Sequence, residues 1–136
     1  MDEQQVQTFR RIYTAVQRGD SEQLQQNLAH DIEWVLPDSV PWGGTHHGHL
    51  GVAAMRDVYE DHVDGSWADP DEIIWAEDDT VIVLGRIRGR VRASDESFEV
   101  AFAHVWRLSD GVPSSFHGYY DATPIVAALG GEAGGP

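Results

Sequence analysis

Between Gly65 and Asp121 the chain runs through four long stretches of alternating apolar and polar residues. Short turn-forming segments separate them: Glu77-Asp78-Asp79, Ala93–Glu96 and Ser109-Asp110-Gly111. A period of two puts every second side chain on one face, so the pattern predicts strands near 67–77, 80–92, 97–108 and 112–121. Connections this short join neighbours antiparallel, as a meander. The stretch 97–108 is the clearest, with Phe98, Val100, Phe102, His104 and Trp106 sharing a face. A sheet with one apolar face needs a cover, and the first 65 residues have to supply it.

They read as helices with one strand between them. Val6, Phe9, Tyr13 and Val16 recur at helical spacing, with Ile12 beside them, which predicts a helix over 3–18 ended by Gly19. Asp20 with Gln23 has the spacing of an N-terminal cap, opening a short second helix that carries Leu24 and Leu28. In 31–36, Ile32, Trp34 and Leu36 share one face of a strand. The segment 41–51, PWGGTHHGHLG, reads as a loop. From about residue 49 a third helix carries Val52, Met55, Tyr59 and His62 or Val63 inward, with Arg56, Asp57, Glu60 and Asp61 facing out. Residues 124–129 suit a last helical turn, and the glycine-rich 129–136 a flexible tail. The order predicts one α+β domain over 1–128, its helices against a curved antiparallel sheet that closes into a cone around an internal pocket.

Charge narrows the partners. Twenty-three acidic residues against nine basic ones, all arginine, give a net charge of −14. Such a surface repels phosphates and anionic membranes, so nucleic acid and membrane are not expected partners. Without cysteine there is no disulfide, thiolate nucleophile or cysteine-bound zinc. The N-terminus has no basic and apolar signal regions, and no apolar run nears the roughly 20 residues of a membrane span. A cytoplasmic protein is expected.

Several local motifs occur in a telling order: F-x-x-I-Y-x-A-V-x-R-G-D at Phe9–Asp20, H-D-I-E-W at His30–Trp34 and G-T-x-x-G-x-x-G-V at Gly44–Val52. They continue as V-L-G-R-x-R-G-R at Val83–Arg90, F-A-H-V-W-R-L-x-D-G at Phe102–Gly111 and Y-Y-D at Tyr119–Asp121. With its element order, the chain resembles the nuclear transport factor 2-like superfamily, and within it the SnoaL-like, ketosteroid-isomerase-related branch, over residues 5 to about 128. The resemblance implies a cystatin-like cone, a homodimer, and no metal or other cofactor. It leaves function open, because the scaffold hosts isomerases, cyclases, dehydratases, epoxide hydrolases and non-catalytic binders.

The familiar acids of those enzymes are absent. The position matching the isomerase base is Leu36, and the one matching the acid of the cyclases and epoxide hydrolases is Gly118. The hydrolases' arginine–aspartate pair falls at Ile87 and Gly89. What remains is His104, which matches the isomerases' oxyanion-hole aspartic acid, where a neutral imidazole could donate to a carbonyl or enolate oxygen. Tyr13 and Tyr59, from the two covering helices, are the hydroxyls expected to assist it. Trp34, Leu36, Trp42 and Phe102 are expected to line the pocket, together with Trp106, Phe116 and Tyr120. That lining suits a small apolar or aromatic molecule.

Three other features carry bland readings. Adjacent His46 and His47 point apart, so His46, His47 and His49 are expected as mobile, exposed rim residues rather than zinc ligands, with Trp42 on the pocket rim. Asp121 suits a turn cap, and His117 shares its parity, away from the pocket. Arg86, Arg88, Arg90 and Arg92 are expected on an outer sheet surface, paired with Glu96, Glu99 and acidic neighbours. The leading expectation is a binder of an apolar, carbonyl-bearing molecule, acting as an isomerase, cyclase or dehydratase through His104. A non-catalytic ligand-binding or accessory domain is the alternative, with an epoxide hydrolase or metal-dependent hydrolase further behind.

Overall fold

A computed structural model describes residues 3–77 and 79–130. The elements run α1 Glu3–Arg18, α2 Ser21–Gln26, β1 Glu33–Leu36, β2 Gly44–His47, α3 Gly48–His62 and β3 Val63–Ala76. They continue with β4 Thr80–Val91, β5 Ser97–Ser109, β6 Val112–Tyr120 and α4 Thr123–Ala128. The strands form one sheet in the order β2-β1-β6-β5-β4-β3. Strand β1 runs parallel to β6, and the other neighbours are antiparallel. The sheet curls into a half-barrel around the helices, the α+β class the sequence implies.

The sequence explains how each piece docks. Helix α1 buries Phe9, Ile12, Tyr13 and Ala15 along one stripe, and each large apolar side chain so buried contributes about 1.5–3 kcal/mol. The chain turns at Gly19, where the Gly19 and Asp20 amides return to the Val16 and Ala15 carbonyls at 3.2 and 2.9 Å. Asp20 then accepts from the Gln23 amide at 3.0 Å and caps α2. Strand β5 alternates cleanly, its even-numbered residues from Phe98 to Leu108 all buried. Trp106 sits at the centre of the core, meeting Phe9, Tyr13, Trp34 and Phe116 edge-on or steeply inclined at centroid distances of 4.7–6.2 Å.

The structure departs from the sequence reading in two elements. Strand β2 occupies part of the expected loop, pairing Glu33–Leu36 of β1 with Gly44–His47. GTHH lacks an apolar alternation because β2 is a half-exposed edge strand held by backbone bonds, which carry no side-chain signature. Strand β3 begins at Val63 directly from α3, not beyond Gly65. Gly65 falls in a register irregularity between Asp64 and Trp67, and a second lies between Pro70 and Glu72. Bulges of this kind bend a strand without ending it. The centre of the expected 77–79 turn lies outside the described residues, as does the expected tail from residue 131 on. Leu129 and Gly130 close α4 by donating to Ile125 and Ala127 carbonyls.

Candidate functional site: an aromatic cavity around a neutral histidine

Helices α1 and α3 and the concave face of the sheet enclose a cavity of about 90 Å³. On a scale where one water needs roughly 10–15 Å³, that holds a small organic molecule rather than a single solvent. Tyr13 and Val16 of α1 line it, with Trp34 and Leu36 of β1 and Met55, Arg56 and Tyr59 of α3. Trp42 and Ile125 come from the flanking segments, and Ala68, Ile87, His104, Trp106, Phe116 and Tyr120 from the sheet.

At its inner end three polar atoms form a chain. Trp106 Nε1–H donates to the Tyr13 hydroxyl at 3.0 Å, and that hydroxyl lies 2.7 Å from His104 Nδ1. The indole can only donate, so the tyrosine oxygen accepts there; Nδ1 is the hydroxyl's other partner among the described residues, and the tautomer that satisfies both groups is the one in which Nδ1 accepts the Tyr13 proton. The imidazole therefore carries its own proton on Nε2. Rings surround it: Phe102 stacks at 3.8 Å and 17°, Phe116 approaches edge-on at 4.7 Å, and Tyr13 lies at 5.8 Å. Burial among them pushes the His104 pKa down to about 3, so it is uncharged near neutrality. Nε2–H has no partner among the described residues, and His104 is on the cavity wall. The result is a fixed, neutral donor residue on the cavity wall.

The tyrosines are held in their protonated form by the same physics. Burial raises the pKa of Tyr13 well above the usual phenol value, with the Trp106 bond opposing it. Burial also raises Tyr59, aided by neighbouring Tyr120 and opposed by the charge of Arg56. Tyr120 is raised by burial, against the Trp42 side chain beside its hydroxyl. Two further donors, Trp34 Nε1 and Arg56 Nε, are buried without a hydrogen-bond partner among the described residues.

Most expected site residues meet here: His104, Tyr13, Tyr59, Trp34 and Leu36 line one cavity with Trp42, Trp106, Phe116 and Tyr120. Phe102 does not line it. Its ring lies over Gly85, the residue opposite it in β4, where an added Cβ would fall 2.7 Å from the ring, and it backs His104 from behind. Trp42 is no rim residue: it is buried, with the ring of Tyr59 edge-on at 4.8 Å. Arg56, expected on the outside, lies on the cavity wall with its side chain only 12% exposed. An i, i+4 count from Val52 reaches Arg56 at the margin of the apolar stripe, the one signal that could have found it.

The histidine loop is also braced rather than free. His46 Nε2 meets the Trp42 carbonyl at 3.0 Å and His49 Nε2 the Leu28 carbonyl at 3.0 Å, while His49 stacks on His30. Only His47 of the three is exposed. No group of three potential metal ligands gathers among the described residues. Asp121 accepts from the Thr123 amide at 3.0 Å and starts α4, and His117 stacks on the exposed Tyr119 rather than lining the cavity. The β4 arginines form an exposed ladder: Arg86 and Arg88 pair with Glu99, Arg88 also with Asp69, and Arg90 with Asp64 and Asp95. Arg92 reaches Asp64 at 3.7 Å and the Glu60 carbonyl. Their aspartate partners come from β3 and the β4–β5 turn, and Glu96 is not among them.

Leu36 and Gly118 complement one another. A Cβ at Gly118 would meet Leu36 Cδ2 at 2.8 Å and the Phe116 ring at 3.3 Å. The Leu36 side chain thus fills the space that a side chain at position 118 would need.

A strongly curled sheet around helices is the fold of nuclear transport factor 2-like and ketosteroid-isomerase-like proteins. A nuclear transport factor 2-like protein of unknown function from Burkholderia pseudomallei is 30% identical, with a TM-score of 0.86 over 94% of this chain and 98% of its own. TerC, co-crystallised with polyporic acid, is 22% identical, with a TM-score of 0.83 over 93% and 98%. A putative isomerase from Bacillus subtilis is 16% identical, with a TM-score of 0.81 over 98% and 99%. The SnoaL-like domain model matches residues 9–112, and the chain belongs to that family. No curated protein matches it.

Proposed function

We propose that this protein binds a small, cyclic, largely apolar molecule through a carbonyl or similar acceptor oxygen, which takes the His104 Nε2–H. One observation carries the reading: the Trp106–Tyr13–His104 chain fixes a neutral imidazole on the wall of an aromatic cavity. A neutral donor in a dry site stabilises a carbonyl or enolate oxygen without first having to lose its own hydration. Its low pKa makes His104 a weak base, and Nδ1 is already occupied by Tyr13. The lining holds no carboxylate among the described residues. Binding with carbonyl polarisation is therefore the function assigned. The co-crystallisation of the related TerC with polyporic acid is consistent with a ligand-binding cavity in this fold.

The test compares acetophenone with ethylbenzene, which has the same ring and chain length but no oxygen, by quenching of tryptophan fluorescence. Acetophenone should bind about 5–10-fold more tightly, as expected for one buried hydrogen bond of about 1–1.5 kcal/mol. His104→Leu should erase the difference while leaving ethylbenzene binding in place. Equal affinities in the unmodified protein would sink the reading.

A further inference from the structure

Among the described residues Arg56 is the one permanently charged side chain on the cavity wall. It reaches in from α3, and its ion-pair partner is Glu60, one turn further on, at 3.6 Å and half in solvent. An i, i+4 pair so exposed adds little. Nε, meanwhile, is buried with no hydrogen-bond partner among the described residues. A guanidinium stays charged at any physiological pH and presents five N–H groups in a fixed fork suited to two oxygens at once. Leaving a buried N–H of that fork without a partner is unfavourable, and an oxygen acceptor in the cavity would relieve that cost. In a chain of net charge −14, carboxylates to do so are plentiful, yet none lines the cavity among the described residues. Tyr59, three residues on and on the same helical face, carries a hydroxyl inside the guanidinium's field. The helix wall therefore offers a cationic fork and a hydroxyl, and the sheet wall offers the neutral donor of His104.

We propose that the cavity's ligand carries an anionic oxygen group, a carboxylate or an ionised ring hydroxyl, bound by Arg56 with the Tyr59 hydroxyl while its carbonyl takes His104 Nε2–H. This rests on the carbonyl-binding reading above and adds a charge to the ligand. The surrounding acidity makes the recognition short-range: an approaching anion meets an overall repulsive molecule and gains only once it reaches the fork.

The experiment titrates the full chain with 4-acetylbenzoate, 4-acetylbenzamide and acetophenone, and with 4-hydroxyacetophenone at pH values on either side of its phenol ionisation. The benzoate should bind at least about tenfold more tightly than the benzamide, the gain of a charge-assisted hydrogen bond. Arg56→Met should remove that preference and leave acetophenone within about twofold, with folding checked by circular dichroism. Arg56→Gln serves the same purpose if the methionine variant does not fold. Tightening of 4-hydroxyacetophenone on ionisation would assign the anion to a ring hydroxyl, and a preference confined to the benzoate would assign it to a carboxylate. Equal binding of acid and amide with no tightening on ionisation overturns the proposal, as does an equal loss of both in Arg56→Met. If acetophenone binds through His104 but neither anion gains, only this inference falls. If acetophenone fails to bind, the carbonyl reading falls with it.

Discussion

His104 shows how a single burial decides a residue's chemistry. Its neighbours are rings and one hydroxyl, so nothing compensates a positive charge there, and its pKa falls from 6.5 to about 3. Between those values the unfolded chain holds more protons at this position than the folded one. Stability therefore declines as the pH falls from about 6.5 towards 3, by up to about 1.4 kcal/mol per unit from this residue. Urea unfolding at several pH values should give a visibly shallower slope for His104→Gln than for the unmodified protein; parallel slopes would mean the histidine is not buried neutral. The strand alternation alone put His104 on the inner face. Its hydrogen-bond partner was not legible in the same way, because Tyr13 lies 91 positions earlier and meets it only through the docking of α1 onto β5. Nor was the place of Arg56 on the cavity wall, since helical periodicity assigns a marginal residue to either side and packing makes the choice.

The elements read most easily where one face is buried and the other wet, as in β5 and α1. Strand β2 stayed hidden because edge pairing rests on backbone groups, and the bulges of β3 because Gly65 signals a break and a bend equally well. The mutual fit of Leu36 and Gly118 belongs to the junction of β1, β6 and β5, and no single segment announces it. It can be tested by a double-mutant cycle. Gly118→Ala introduces a Cβ 2.8 Å from Leu36 Cδ2, at an expected cost of about 1–3 kcal/mol. In a Leu36→Ala background the same change should cost less, with a coupling of at least about 0.5 kcal/mol in denaturant unfolding. Additive effects would show that the leucine does not fill the glycine's space.

Taken as a whole the molecule carries 14 excess negative charges against a handful of exposed arginine pairs. Each such pair contributes roughly 0–1 kcal/mol and weakens in salt, whereas the repulsion acts across the entire surface. Repulsion should win. Raising sodium chloride from about 0.01 to 1 M shortens the screening length from roughly 30 to 3 Å, and the melting temperature should rise; a fall would mean the ladder dominates. No described helix is long and apolar enough to cross a membrane.

The parallel pairing of β1 with β6 has a further consequence, for how the chain is made. During synthesis α1 to α3 and the β1–β2 hairpin emerge before the meander, yet β6, which joins β1 to it, follows β3, β4 and β5. Until then Trp34 and Trp106 lack the ring of Phe116 that covers both. A nascent chain stopped before residue 112 would expose that aromatic surface. Pairing β1 with β6 joins distant parts of the sequence, and non-local contacts of this kind form slowly because the loop between them must first be closed. Cavity and fold would then appear together, in one event that waits for β6.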